Sequence, residues 1–497
     1  MYTRPLTSRY ALLIALLVAL SPANAASLDL LEVGGAWGTP GATNPSALWW
    51  NPAGLAVGGG HQYLVEGAPM FANVGYDRTN PDYGEGTDLL GTEADYNYGG
   101  QDEIKFSGVV PFLGVSSSLG VDGLGLGAAL FVPTARGGVQ QTQDGPGRYH
   151  LIEGDIQSIH ASLGGAYHIA DFVALGLSGA YTMNSWEAKT DIETLSALHD
   201  GINELLPGTS PYQDWMFEDP NYSGRLNFDS LHKNVFTFGA GIYVTPLGDK
   251  LGISLGYQHG YRLDYEGDVK ISLGCPPDID AIGRFAAESR GICDVTLNGK
   301  SFIGYNLPSR LNFGVVVQPI EKIRLEAMGA YVMWGVFSDY DIQTSVPRSE
   351  IELENDETAE ETAELVSQNR QWARDNRNTF WLGVDGKFKV HKLFTLGARV
   401  FYDRSAIPSS TKSTNNYDLN TLGLMGLAAV TPFDAFGVGL SYTRHQMFSQ
   451  TVTDSAFNLS LEDRANDRVY YPSANGTYTG NINRIALNIS GQFGKDK

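Results

Sequence analysis

The chain has 497 residues, with 59 glycines, 25 tyrosines and 22 phenylalanines but only 8 methionines and 2 cysteines. Its formal charge of −21 at pH 7 repels nucleic acid and offers no polybasic face to anionic lipid. The length alone would allow several soluble domains, but so much glycine and aromatic surface points to many strands joined by turns.

Arg4 and Arg9 precede an apolar run from Ala11 to Leu20, and Ala23-Asn24-Ala25 fits an A-x-A cleavage site. That run is far shorter than the ~20 residues of a spanning helix. Residues 1–25 are therefore predicted to be a signal peptide, with the mature chain starting at Ala26. No later stretch is apolar enough to cross a bilayer as a helix.

The next segment, 26–60, is dominated by Gly34 to Gly60, which holds eight glycines, three prolines and three tryptophans. It is expected to settle neither as helix nor as strand. Trp37, Trp49 and Trp50 nevertheless carry too much apolar surface to be left in water, and linkers seldom contain tryptophan. The expectation is a compact plug, or hatch, enclosed by a wall built from residues 61–497.

From Gly60 onward, long alternating segments are separated by a very short turn or a long polar loop. Leu311, Phe313, Val315 and Val317 alternate with Arg310, Asn312, Gly314 and Val316; Ile485, Leu487 and Ile489 alternate with Arg484, Ala486, Asn488 and Ser490. Such period-two runs exceed the usual globular strand and match a tilted strand crossing a bilayer. Fourteen are predicted: 61–76, 104–119, 123–133, 150–169, 172–188, 225–245, 250–272, 300–318, 322–343, 376–390, 393–406, 416–431, 434–451 and 478–493. Short and long connections alternate without exception, as in an outer-membrane barrel with both termini in the periplasm. The fold class is thus all-β, a closed antiparallel transmembrane barrel of about fourteen strands. Backbone groups facing lipid must be paired sideways, so the sheet closes. The apolar member of each pair faces hydrocarbon, while Arg310, Arg324, Glu326, Lys387 and Arg484 face the lumen or a rim. A barrel this wide cannot be filled by its own side chains, so the hatch has a reason to exist.

Three outer loops are large. Asp191 to Pro207 carries Ile192, Leu195, Leu198, Ile202, Leu205 and Leu206 at helical spacing, and Trp215-Met216-Phe217 follows as an apolar patch. Asp278 to Ser289 is predicted to be a short helix between Cys275 and Cys293. Those two cysteines, in an exported chain, are expected to form one disulfide. Ser349 to Asn376 is strongly acidic and predicted to be a solvated helix without a metal.

Enzymatic readings find little support. Gly252-Ile-Ser254-Leu-Gly256 matches G-x-S-x-G but lies within a predicted strand, not on a strand-to-helix elbow. The nine histidines include no H-E-x-x-H. His160 and Ser162 share a strand face, the minimum for a barrel lipase, but ordinary lumen residues do so too. A general diffusion porin is the stronger alternative; it would have a wet, unplugged constriction.

Asn51-Pro52-Ala53-Gly54-Leu55 resembles the start of the FadL/TodX-like family of outer-membrane fatty-acid and hydrocarbon transporters. Further fragments follow in family order: Gly123 to Gly127 leading into Phe131-Val132-Pro133, Arg148-Tyr149, Asn306-Leu307-Pro308, Trp334 to Phe337, Ser405 to Pro408, and Gly476-Thr477-Tyr478. The chain departs from the pattern by extending past Phe493 and in its outer loops. The resemblance implies passive uptake of hydrophobic molecules, first met in an outer-loop groove, then held beside the hatch, then released through a gap in the wall at the third strand. Leu205, Leu206, Trp215, Met216 and Phe217 are the candidates for the groove. Trp49, Trp50, Asn51, Pro52, Ala53 and Leu55 are those for the hatch site, and Gly123, Gly125, Gly127 and Pro133 those for a lateral gate. The expected partners are a hydrophobic small molecule, outer-membrane lipid and lipopolysaccharide. The protein is expected to be a monomer with no cofactor, metal or catalysis.

Overall fold

The computed structural model describes residues 32–80, 99–140, 143–193, 223–275, 281–457 and 473–494. No helix among them is long and apolar enough to cross a membrane. They form one closed antiparallel wall of fourteen strands. The first six are β1 (His61–Arg78), β2 (Gly100–Ser117), β3 (Leu124–Gln140), β4 (Glu153–Ala170), β5 (Val173–Glu193) and β6 (Ser223–Val244). β7 runs over Leu251–Gln258 and, after a break, Tyr261–Leu273; β8 runs over Val295–Leu307 and Arg310–Ile320. β9 (Ile323–Val332, continued outward by Asp339–Ser345) pairs with β10 (Thr379–His391, preceded outward by Gln368–Ala373). β11 (Phe394–Asp403), β12 (Thr421–Phe433), β13 (Phe436–Met447, then Gln450–Val452) and β14 (Gly476–Phe493) complete the circuit. Closure is made by β14 against β1, from His61↔Phe493 to Arg78↔Gly476.

The outward face is apolar as the alternation requires: Phe313, Val315 and Val317 are 39–41% exposed, and Leu487 is 53% exposed. Their neighbours Arg310, Glu326, Lys387 and Arg484 are buried on the lumen side. Water cannot satisfy backbone groups in hydrocarbon, so closure and alternation are two consequences of one cost.

Some predicted elements differ. β9 is interrupted after Val332 by a single turn at Trp334–Val336, where the predicted strand was continuous. The acidic stretch 349–376 is helical only over α4 (Asp356–Val366); its end, Gln368–Ala373, pairs instead with Asp339–Ser345. Asn355 caps α4 by accepting from the backbone of Glu357 and Thr358. Asp191 to Glu193 end β5 rather than begin a helix, because they pair with Ser223–Arg225. The remainder of that predicted helix, with Leu205, Leu206, Trp215, Met216 and Phe217, lies outside the described residues. α3 (Ala281–Ser289) occupies the loop closed by the Cys275–Cys293 disulfide.

Candidate functional site

Residues 32–60 lie across the bore, joined to the wall on all sides. Gly34 and Gly35 take positive φ (79° and 58°), which turns the chain tightly enough to bring Gly35 against the Glu66 carboxylate of β1. Two short helices follow, α1 (Ala47–Trp50) and α2 (Gly54–Gly58).

One flank of this segment is mounted on charge. Arg399 of β11 donates to the carbonyls of Gly35, Ala36 and Gly38 at 3.4, 3.3 and 3.2 Å, and to Asp385 at 3.1 Å. Glu326 of β9 accepts from the Thr39 hydroxyl and the Gly41 amide, both at 2.8 Å, while Arg324 donates to the Gly41 carbonyl at 3.0 Å. Lys387 pairs with Asp385 and sits 5.5 Å from the Trp37 ring centre. The Trp37 indole donates to Asn488 of β14 at 2.8 Å. Glu32 accepts from Thr443 at 2.8 Å, contacts His445 at 3.1 Å, and faces Arg484, which also holds Glu66. Charges this deeply buried are tolerable because each has an opposite partner and further hydrogen bonds.

The other flank is mounted on glycine. A Cβ at Gly125 of β3 would lie 2.2 Å from the Leu55 backbone; at Gly176 of β5, 2.3 Å from the Ala53 nitrogen; at Gly256 of β7, 2.1 Å from the Trp50 carbonyl. Only glycine allows the two backbones so close. Amides fix the level: Asn51 donates to Ile242 O at 2.9 Å, Gln258 to Trp49 O at 2.7 Å, and Asn312 to Trp50 O at 3.0 Å. The Trp50 indole is satisfied within the segment by Val33 O at 2.8 Å.

Above α1 lies a small cavity, about 30 Å³, bordered by Trp49, His160, Gln258, Tyr261 and Arg310 among others. Trp49 meets Phe131 and His160 edge-on at 5.8 and 5.7 Å, and the Arg310 guanidinium stands 5.2 Å from its ring centre. The buried Trp49 indole nitrogen has no hydrogen-bond partner among the described residues. Leu307 and Pro308, from the Asn306-Leu307-Pro308 fragment, also border the cavity.

Over the outer mouth runs a polar loop, residues 404–420. Thr411 donates to Arg374 O at 2.6 Å and Thr414 to Gly147 O at 3.2 Å, and the fully buried Lys412 ammonium donates to Asp418 O. Burial pulls the Lys412 amine down to about 8, against the opposing pull of Asp418, whose own carboxyl burial raises. Arg148 stacks on Tyr149 and reaches Asp191 at 3.6 Å, holding the neighbouring 143–152 segment.

Of the residues singled out from sequence, Trp49, Trp50, Asn51, Pro52, Ala53 and Leu55 come together in the bore, but only Trp49 borders the cavity. Trp50 packs away from it, 5.9 Å from Trp381. Gly123, Gly125 and Gly127 are not where the third strand parts from the second. Gly123 is a turn residue at φ 71°, and Gly125 and Gly127 lie where β3 is fully paired with β4, packed by Leu55. Pairing with β2 lapses above them, between Phe112↔Phe131 and Lys105↔Gln140, beginning beside Pro133. Gln258 and Tyr261 were not foreseen, because lumen-facing amides and phenols in alternating strands carry no distinguishing sequence signal. Gly252–Gly256 lies inside β7, with Ser254 paired across to Tyr243 and Gly314.

A closed, lipid-faced barrel whose bore is spanned by its own N-terminal segment defines an outer-membrane β-barrel transport protein. The sequence matches the family described as Outer membrane protein transport protein (OMPP1/FadL/TodX) over residues 22–417, and the chain belongs to that family. No curated protein sequence matches it. Its fold is similar to that of a FadL homologue from Pseudomonas aeruginosa (TM-score 0.71, 17% identity, 96% of this chain and 99% of that one). It is also similar to the toluene transporters TodX of P. putida (0.62, 13%, 91% and 95%) and TbuX of Ralstonia pickettii (0.55, 13%, 90% and 94%).

Proposed function

We propose that this protein takes up hydrophobic molecules passively across the outer membrane, with residues 26–60 acting as a hatch and both termini in the periplasm. The observation that carries the reading is the cavity beside Trp49, bordered by rings such as Trp49 and Tyr261, by Leu307 and Val332, and by the polar Thr134, Thr237, Gln258 and Arg310, with the bore-spanning segment beneath it. At about 30 Å³ it is too small for a fatty acid or an aromatic hydrocarbon, so ligand enters by displacing Trp49 and its neighbours. Each methylene moved from water to such a site contributes ~0.8 kcal/mol, enough for capture without a motor.

Arg310, which also donates to Asn312 at 3.1 Å, brings a positive charge to the cavity. It is the group to receive the carboxylate of a long-chain fatty acid, with the Trp49 indole N–H as a second donor. Asn51, Pro52, Ala53 and Leu55 act beneath the ligand as its floor. Leu205, Leu206, Trp215, Met216 and Phe217 supply the outer groove, and the β2–β3 parting beside Pro133 supplies the exit. The protein works as a monomer in contact with lipopolysaccharide, without catalysis.

The test is twofold. Extraction of the purified protein followed by mass spectrometry should yield a bound long-chain carboxylate. Deletion of Ser27 to Val57 should leave an inserted barrel that conducts ions. A deletion variant as electrically silent as the parent would remove the hatch from the account, and a wide aqueous conductance in the parent would favour a general porin.

A further inference from the structure

The wall is parted at a second place, between β6 and β7, and the cause is the phase of the side chains. In lower β6 the buried positions are odd-numbered, as at Thr237 and Leu231; above, they are even-numbered, as at Phe228 and Leu226. The switch coincides with a one-residue bulge against β5, where Trp186 faces Leu231 but Ala188 faces Phe228. β7 switches in the opposite sense and lower down: Ser254 and Gln258 are buried below the His259-Gly260 break, Leu263 and Tyr265 above it. β8 breaks at the same level, at Pro308-Ser309, so β7 and β8 remain paired on both sides of the break.

Between the two faults, β6 turns a side chain outward wherever β7 turns one inward. Ladder partners must share a face. The pairing therefore stops at Gly239↔Gln258 and resumes at Phe228↔Val269, without offset because the two faults cancel. Residues 229–237 and 260–268 are left opposite one another without ladder pairing, the Leu231 side chain of β6 lying over Gly267 of β7. The β2–β3 parting has a different origin: residues 132–139 of β3 face the shorter run 106–111 of β2.

This second parting joins two surfaces. At its lower end, His259 N donates to Phe238 O at 2.9 Å and Thr237 Oγ1 to His259 O at 2.7 Å. Thr237, His259 and Tyr261 border the cavity beside Trp49. Outside, Phe236 is 77% exposed, and the exposed His259 ring stacks on Phe238 at 4.6 Å. His259 thus belongs both to the cavity and to the outer surface. The outward positions just above it on β7 are Arg262 and Asp264, paired at 2.7 Å, so the parting begins where the apolar band ends.

We propose that the β6–β7 parting is a side entrance at the outer edge of the hydrocarbon. Through it, a long-chain apolar solute dissolved in the outer leaflet reaches the cavity beside Trp49 without crossing the polar loop 404–420. The proposal rests on the transport reading above and adds to it a source and a route.

The described residues contain no free cysteine, so a pair introduced as His232→Cys and Asp264→Cys, one on each lip, can be addressed alone. The folded double variant is bridged with a bismaleimide in outer-membrane vesicles preloaded with radiolabelled oleate, and compared with the same variant capped with N-ethylmaleimide. Because the bridge forms after folding, misfolding does not enter the comparison. Bridging should slow transfer of oleate at least fivefold relative to capping; any smaller effect overturns the side entrance. Failure of the capped variant and the unmodified protein alike to transfer oleate would instead sink the transport reading, and the entrance with it.

Discussion

Arg399→Met is the most informative single substitution at the hatch. It removes three charge-assisted donations to the carbonyls of Gly35, Ala36 and Gly38 and the contact with Asp385, while Lys387 still neutralises that carboxylate. Hydrogen bonds to charged groups contribute about 1.5–3 kcal/mol each but do not add fully. Breaking one side of a buried pair costs about 3–5 kcal/mol. With 1.4 kcal/mol per tenfold, the ratio of seated to released segment should fall by about two to three and a half orders of magnitude. In planar bilayers the variant should show frequent ion-conducting openings where the parent is quiet. Arg399→Lys, which keeps the charge but not the fork, should lie between them. An Arg399→Met channel as quiet as the parent, with its N-terminal segment equally protected from protease, would refute the claim that these bonds seat the hatch.

Gly256→Val should produce the same electrical signature from the opposite flank, since its Cβ would press on the Trp50 carbonyl at 2.1 Å; bilayer recordings again decide. Cys275→Ser with Cys293→Ser should loosen the outer loop by about 3 kcal/mol, read as faster proteolysis near α3, while the barrel keeps its heat-modifiable gel mobility. Lys412 gives a pH test. Its folded value, about 8, lies below the ordinary 10.5, so the folded loop carries the cost of a buried ammonium below pH 8. That cost is relieved as pH rises from about 8 towards 10.5, where the unfolded state binds more protons. Proteinase K cleavage within 404–420, normalised to an unfolded substrate, should therefore slow between pH 8 and 10; unchanged or faster cleavage would contradict the assignment.

The wall was legible because one physical cost writes it into every strand. Phe313, Val315 and Val317 had to be apolar to face lipid, and Arg310 and Arg484 then had to face the bore. The breaks were not legible. His259-Gly260 and Pro308-Ser309 each shift the alternation by one, which in a single strand looks like ordinary noise; only the neighbour β6, whose own shift comes higher up, turns it into a parting. The buried N-terminal segment was visible as tryptophan among glycine, but its partners were not. Arg399 and Glu326 bind its backbone, and carbonyl recognition leaves no mark on the segment's own sequence. The acidic outer loop 349–376 carried no apolar alternation to mark a strand, which is how Gln368–Ala373 could be mistaken for helix.

The unequal mounting of the N-terminal segment gives any displacement a direction. Ion pairs from β9 round to β1 form the firmer side, while the glycine flank at β3, β5 and β7 is held by neutral amide bonds from Asn51, Gln258 and Asn312 and could lift without breaking a charge pair. A yielding segment would therefore open a crescent along one half of the circumference rather than a central hole. A slender chain could slide lengthwise through such a crescent, between the segment and the glycines of the wall.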